Sequence, residues 1–320
     1  MEHGSDNFDD EVVRRYDGNP ILTHRVWPYP VNSVFNPGVA VVNGHHLLLV
    51  RVEDRRGLSH LCAARSANGI NNWAIDPMPT FTPQPEKFPE ESWGVEDPRI
   101  TWLEDREQWI IAYTAYSQVG PLVSLASTTD FTTFERLGPV MPPENKDAAL
   151  FPVKFKGRYA MLHRPSPSSS ESGKHIWISF SPDLKHWGDH KVVLTARTGS
   201  WWDANKIGLS PPPLETAEGW LIMYHGVRET INGSIYRVGL ALLDREDPNH
   251  VLSRTDRWIL GPEDTVERCG DVGNVIFPCG WILNGDRLSI YYGSGDSCVA
   301  VAFASLSQVL GLLGKSESKV

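Results

Sequence analysis

The chain has 320 residues, 41% of them hydrophobic, which is enough for one large domain or two small ones. A formal charge of -9 excludes a general binder of nucleic acid or of anionic membranes, although a small anionic ligand needs only a local basic pocket. No run is long and apolar enough to span a bilayer, and Cys62, Cys269, Cys279 and Cys298 have neither CxxC pairing nor metal-ligand spacing.

Residues 1–10 are acidic and polar and lack the apolar core of a signal peptide. With cysteines that read as reduced, this points to the cytoplasm. Residues 1–18 are expected to form an N-terminal tail. Beyond them few stretches keep a helical period. Short alternating or apolar runs, split by Gly, Pro, Asn and Asp, predict an all-β fold.

The runs recur in an ordered way. A strand opened by a polar residue appears five times, at Asn36-Pro37-Gly38, Asp97-Pro98-Arg99, Asp147 leading into Phe151-Pro152, Lys206-Ile207-Gly208 and Asn274-Val275-Ile276. After each comes a turn and a second apolar run, beginning at His46, Trp109, Tyr159, Trp220 and Leu288. A third run follows, and three of these lead into a segment closing on Trp73, Phe134 or Trp187. A unit of three or four strands repeated five times predicts a five-bladed β-propeller, placed here over residues 19–310. A β-sandwich with insertions does not account for five equivalent polar residues at strand starts. Residues 306–313 read as a short helix, and residues 311–320 as a C-terminal tail.

The innermost strands of a propeller line its channel, so Asn36, Asp97, Asp147, Lys206 and Asn274 are expected to converge at one mouth. Asp97 stands before a proline that favours a strand start and holds its neighbour extended. A held carboxylate beside aromatics and the adjacent Glu96 is expected to have a raised pKa and to act as a proton donor. The plainer reading is a turn aspartate paired with Arg99. Other acids expected near the mouth are Glu53, Asp54, Asp203, Asp271 and Asp296. The bases are Arg51, Lys146, Arg164, Lys206 and His225. Taken singly, each base reads as a solvated charge or a salt-bridge partner. Four of them from two neighbouring blades repel one another unless an anion lies between.

Acids with aromatics in a funnel suggest carbohydrate. Cleaving a glycosidic bond takes an acid on the leaving oxygen and a nucleophile on the opposite face of the ring. Water as nucleophile needs a carboxylate base, whereas phosphate needs only cations to hold it. The sequence has no GxGxxG or P-loop, no GxSxG elbow and no metal-ligand histidine spacing.

Together, Asn36-Pro37-Gly38, Gly94-Val95-Glu96-Asp97-Pro98-Arg99, Asn145-Lys146-Asp147, Leu162-His163-Arg164-Pro165, Lys206-Ile207-Gly208, Tyr224-His225-Gly226 and Gly270-Asp271-Val272-Gly273-Asn274 resemble glycoside hydrolase family 130. The likeness runs from about Asn19 to about Leu310. It implies a five-bladed propeller acting on β-mannosides, as an inverting phosphorylase or an inverting hydrolase. It implies Asp97 as general acid, passing its proton through a mannose hydroxyl. It implies Lys146, Arg164, Lys206, His225 and Tyr236 as phosphate-holding residues. Asn36, Arg51, Asp54, Glu96, Asp147 and Asp296 are the expected sugar-binding residues, with Glu96 bordering the acceptor. The intact basic set favours phosphorolysis to α-mannose 1-phosphate, with inorganic phosphate as co-substrate and no cofactor or metal. The alternatives are an inverting β-mannosidase with Glu96 or another mouth acid as base, a non-catalytic sugar-binding propeller and, last, a propeller for protein partners. Expected partners are a β-mannoside and phosphate, with no nucleic acid and no membrane. A homo-oligomer of unspecified number is compatible with the resemblance.

Overall fold

The structure, a computed structural model, describes residues 12–166 and 174–314. The parts of the expected tails at residues 1–11 and 315–320 lie outside the described residues. Five antiparallel sheets follow one another along the chain, each built from inner strand to outer strand. Blade 1 is Ser33–Val42, His45–Glu53, Ser59–Ser66 and Ala74–Ile75. Blade 2 is Val95–Leu103, Gln108–Ser117, Gly120–Thr128 and Glu135–Met141. Blade 3 is Asn145–Phe155, Arg158–Pro165, Ile176–Ser181 and Gly188–Leu194. Blade 4 is Lys206–Leu209, Gly219–Thr230, Gly233–Leu243 and Val251–Arg254. Blade 5 is Ile276–Asn284, Arg287–Ser294 and Cys298–Ser305, completed by Val13–Arg15.

That last strand departs from the expected boundaries. Val13 pairs with Ala304 and Arg15 with Ala302, so residues set aside as tail close the ring. Arg15 is anchored further by the buried Glu267, at 2.9 Å from Nε. At the other end, the expected short helix is present as Leu306–Gly314; it crosses the domain limit set at residue 310 and buries Val309 and Leu313 against blades 4 and 5.

Successive residues of a strand face opposite sides, and the blades use both. Leu47 and Leu49 pack towards blade 2, whereas Leu48 and Val50 pack towards blade 5. Apolar clusters lie at each of the five blade junctions. Each Leu or Phe fully buried there contributes roughly 1.5–3 kcal/mol of transfer free energy. The packing closes the sheets into a ring, and the inner-strand starts meet around its axis.

Candidate active site

The polar residues at the strand starts owe their place to backbone geometry. Asn36, Asp97 and Asp147 have φ of 45°, 49° and 55°. At each the register slips: Phe35 faces Arg51 but Gly38 faces Leu49, Glu96 faces Thr114 but Arg99 faces Ala112, and Lys146 faces Arg164 but Ala149 faces Leu162. These are β-bulges opened by a left-handed residue. Asn and Asp tolerate that conformation best among residues with a side chain, and a bulge re-aims the side chain it carries. Blade 4 has no such bulge, and Lys206, Ile207 and Gly208 pair in step with Val227, Gly226 and His225. Asn274 is left-handed at φ 61° but exposed and ahead of its strand. The five expected equivalents are therefore three true ones.

On the side of blades 1 and 2, Asp97 is buried, at 3% exposure. Asn36 Nδ2 donates to its Oδ1 at 2.9 Å, and Arg51 Nη1 donates to the same oxygen at 3.1 Å. Arg51 Nη2 donates to Glu96 Oε1 at 3.0 Å and Arg51 Nε to Ser59 Oγ at 3.0 Å. One guanidinium thus holds both adjacent acids. Gly293 leaves the room, since a Cβ there would lie 1.9 Å from Asn36 Oδ1. Burial pushes the Asp97 carboxyl up, but Arg51, Lys146, Arg99 and the Asn36 hydrogen bond outweigh it, so its pKa lies below the ordinary value. This corrects the expected rise: the nearest groups are cations and an amide, not aromatic rings. Asp296 behaves as Asp97 was expected to. Burial lifts it to about 6, with Asp97 and Glu96 adding to the effect and Arg51 and Lys146 opposing it.

Arg99 does not pair with the Asp97 carboxylate. Its Nη1 donates to the Asp97 carbonyl at 2.9 Å, and Nε and Nη2 donate to the Ser210 and Leu209 carbonyls at 3.1 and 3.3 Å. Nη2 also stands 3.5 Å from Asp147 Oδ1, so this buried side chain ties blade 2 to blades 3 and 4.

On the side of blades 3 and 4 the balance reverses. Asp147 is wholly buried, and its Oδ2 accepts from Arg164 Nε at 2.7 Å. His225 Nε2 lies 3.4 Å from the same oxygen without hydrogen-bond alignment. Burial lowers the His225 pKa to about 4 against the pull of Asp147, so the imidazole is uncharged at neutral pH. Burial alone would raise Asp147, yet the cations around it hold it well below the usual range. With His225 neutral, Arg164 and Arg99 carry that pairing. Asp147 was expected to bind sugar. With no exposed surface it instead anchors the cations from beneath. Gly208 makes this possible: a Cβ there would lie 2.3 Å from Asp147 Oδ2 and 2.5 Å from the His225 ring.

Lys146, Lys206 and Tyr236 are half-buried above this base. Lys206 Nζ sits 5.1 Å from the centre of the Tyr236 ring, which leans over His225. Burial lowers the Lys206 pKa, and Arg164 and Lys146 lower it further against Asp147 and Glu229. Lys174 was not expected. It is bridged to Lys206 through the backbone, and its pKa is lowered by burial and then by Arg164 and Lys206. A single lysine after the Ser-rich stretch carries no periodic signal that could have marked it. Cations that depress one another form a site suited to an anion.

The other expected acids divide, and only Glu53 joins the Arg51 group. Asp203 is buried against Arg197 at 3.0 Å, Arg254 at 2.7 Å and Tyr224 at 3.0 Å, a structural cluster within blade 4. Asp271 is exposed and accepts from Asn32. Asp54 caps its own turn, accepting from Arg56 Nη2 at 2.7 Å and from the amides of Arg56 and Leu58. Glu53 stands 3.8 Å from Arg51. Among the described residues no group of three or more His, Cys, Asp or Glu could hold a metal ion, and no helix is long and apolar enough to cross a membrane.

Comparison with known proteins agrees with this architecture. Residues 11–315 match the glycoside hydrolase family 130 profile, described as β-1,4-mannooligosaccharide phosphorylase. A β-1,4-mannooligosaccharide phosphorylase of Ruminococcus albus is 39% identical, the match covering 97% of this chain and 93% of that protein. A β-1,2-mannobiose phosphorylase of Listeria innocua serovar 6a is 35% identical over 93% of this chain and 97% of that one. The solved structure of a Listeria innocua β-1,2-mannobiose phosphorylase with β-1,2-mannobiose superposes with a TM-score of 0.86 at 33% identity, covering 94% of this chain and 99% of the other. The chain therefore belongs to glycoside hydrolase family 130.

Proposed function

We propose that the protein is an inverting β-mannoside phosphorylase. It converts a β-mannosyl disaccharide or oligosaccharide and inorganic phosphate into α-mannose 1-phosphate and a shortened sugar. The observation that carries this reading is the division of the mouth: one acid on blade 2 lies across from a cluster of mutually repelling cations on blades 3 and 4. An inverting displacement needs those two functions on opposite faces of the sugar.

Phosphate is held by Lys146, Arg164, Lys206 and Tyr236, with Lys174 beside them and neutral His225 beneath. Asp147 positions Arg164 rather than touching sugar. Bound phosphate offsets Lys146, one of the cations that hold Asp97 low in the free protein, so that Asp97 carries a proton in the complex; a phosphate oxygen then attacks the anomeric carbon, the glycosidic C–O bond breaks, and the departing oxygen takes that proton. Asp97 is buried and its Oδ1 is engaged by Asn36 and Arg51, which favours transfer through a mannose hydroxyl. Asn36, Arg51, Glu96 and Asp296 line the sugar. Asp54, held in its own turn, lies at the rim. The anion is the nucleophile, so no resident cofactor is invoked. A phosphorylated product is useful only inside a cell, which supports a cytoplasmic location.

The hydrolytic reading with Glu96 as base is disfavoured by geometry. Glu96 shares the Arg51 guanidinium with Asp97, so it sits on the leaving-group side, whereas a base must act from the opposite face. Reverse synthesis tests the proposal. With α-mannose 1-phosphate and a panel of acceptor sugars, release of phosphate with growth of a β-mannoside is expected. No release with any acceptor would overturn it.

A further inference from the structure

A string of polar side chains crosses all four strands of blade 3. Asn145 stands on the first strand, His163 on the second, Ser179 on the third and His190 on the fourth. The Asn145 amide nitrogen and oxygen lie 3.0 and 3.1 Å from His163 Nδ1. His163 Nε2 lies 2.7 Å from Ser179 Oγ, which lies 2.6 Å from His190 Nδ1. Asn145, His163 and Ser179 are buried, and His190 is exposed. Burial, with His190 adding to it, lowers the His163 pKa to about 3, so its imidazole is neutral. A neutral imidazole has one N–H and Ser179 one O–H, so the bonds all run the same way along the string. The string lies on the side facing blade 2: Met161, two residues from His163 and on the same face, packs with Ile110 and Leu125.

Packing alone does not call for these residues. At the mouth, Lys146 faces Arg164 as Phe35 faces Arg51 in blade 1 and Glu96 faces Thr114 in blade 2. Asn145 therefore takes the place of Val34 and Val95, and His163 that of Val50 and Tyr113. The three valines are buried with no side-chain polar atom to satisfy. In blade 3 an amide and an imidazole are buried instead, a cost that only hydrogen bonds offset. A satisfied buried network rigidifies the segment that carries it. This segment is otherwise loosely tied, because the register slips at Asp147 and pairing resumes only at Ala149 and Leu162. The bond between Asn145 and His163 joins the two strands beside that slip. Its members are the chain neighbours of Lys146 and Arg164, which alternate to the other face.

We propose that His163 is a positioning residue for the phosphate site: through Asn145 it sets where Lys146 and Arg164 stand relative to one another, without touching either substrate. The inference rests on the phosphorylase reading.

The test uses the full chain with His163→Asn, His163→Gln and Asn145→Ala. Calorimetry measures binding of inorganic phosphate and of mannobiose, in the β-1,4 and β-1,2 series, and urea unfolding checks that each variant is folded. An asparagine amide falls where Nδ1 stands and still reaches Asn145, whereas a glutamine amide falls where Nε2 stands and reaches only Ser179. His163→Asn should therefore bind phosphate as wild type does. His163→Gln and Asn145→Ala should each weaken phosphate about tenfold, the scale of one lost buried hydrogen bond, with mannobiose affinity unmoved. Equal losses in the two His163 variants, unmoved phosphate affinity in His163→Gln and Asn145→Ala, or a parallel loss for mannobiose would overturn the proposal. Should the His163 variants not fold, Asn145→Ala decides by the same phosphate-to-mannobiose comparison. Wild type that binds phosphate but phosphorolyses nothing overturns the phosphorylase reading alone, and the variants still decide the positioning role. Wild type that binds no phosphate overturns both.

Discussion

The two halves of the mouth are built from the same device and reach opposite electrostatic ends. Asp97 on blade 2 and Asp147 on blade 3 both open a left-handed bulge, and both are buried beside arginine. Around Asp97, acids gather: Glu96 shares its arginine, and Glu53 and Asp296 stand near. Around Asp147, cations gather: Arg164 and Arg99 touch it, with Lys146, Lys206 and Lys174 beyond. A buried carboxylate acts as an acid or as an anchor according to what surrounds it. Asp97 keeps one oxygen without a bond to Arg51 or Asn36, whereas both oxygens of Asp147 face guanidiniums.

Substitution of the two aspartates should break the comparison most sharply. Asp97→Asn should cost about 10²- to 10⁴-fold in kcat, the usual range for a general acid, while calorimetry still detects phosphate binding. Turnover near wild type would remove Asp97 from the acid role. Asp147→Asn should destabilise the fold by roughly 3–5 kcal/mol, because it strips buried guanidiniums of their counter-charge. Urea unfolding measures this, and a loss below about 1 kcal/mol would place the anchor elsewhere. Its pH dependence follows from the depressed folded pKa. The contribution is present above the unfolded carboxylate pKa of about 3.9 and fades as pH falls below it. The stability difference between wild type and Asp147→Asn should therefore shrink on acidification.

Arg164→Ala probes the cation half alone, and should raise the KM for phosphate by about 30-fold or more, the scale of a lost charge-assisted pair. The mannoside KM should move far less; equal losses would argue against a separate anion site. Gly208→Ala should cost roughly 1–3 kcal/mol by overpacking against Asp147 and His225, with a weaker effect on phosphate. The smallest expected effect links the halves. Bound phosphate offsets Lys146, one of the cations holding Asp97 low, so the Asp97 pKa should rise and the alkaline limb of the rate profile should move to higher pH as phosphate increases. A limb indifferent to phosphate would separate the two halves.

The repeat was legible in the sequence because strand periodicity and turn residues recur five times, and because a left-handed bulge in an inner strand selects Asn or Asp. That selection put Asn36, Asp97 and Asp147 on view before any coordinates. The closing strand was not legible. Val13–Arg15 is three residues long, too short for a period, and is specified by its partner strand ending at Ser305. Partnership also decided the acids. Asp203 and Asp147 look alike in sequence, but Arg197 and Arg254 hold the first beside blade 4, and the Arg254 contact comes from 51 positions away. The direction of the Asp97 pKa was misread for the same reason: Arg51, 46 positions away, approaches it from another blade.

The central claim is that an anion, not water, attacks from the side opposite Asp97. Proton NMR of a β-mannoside incubated with the protein, with and without inorganic phosphate, tests it directly. With phosphate the first product should be α-mannose 1-phosphate, and without phosphate the substrate should persist. Free mannose appearing at the same rate in both samples would contradict the account.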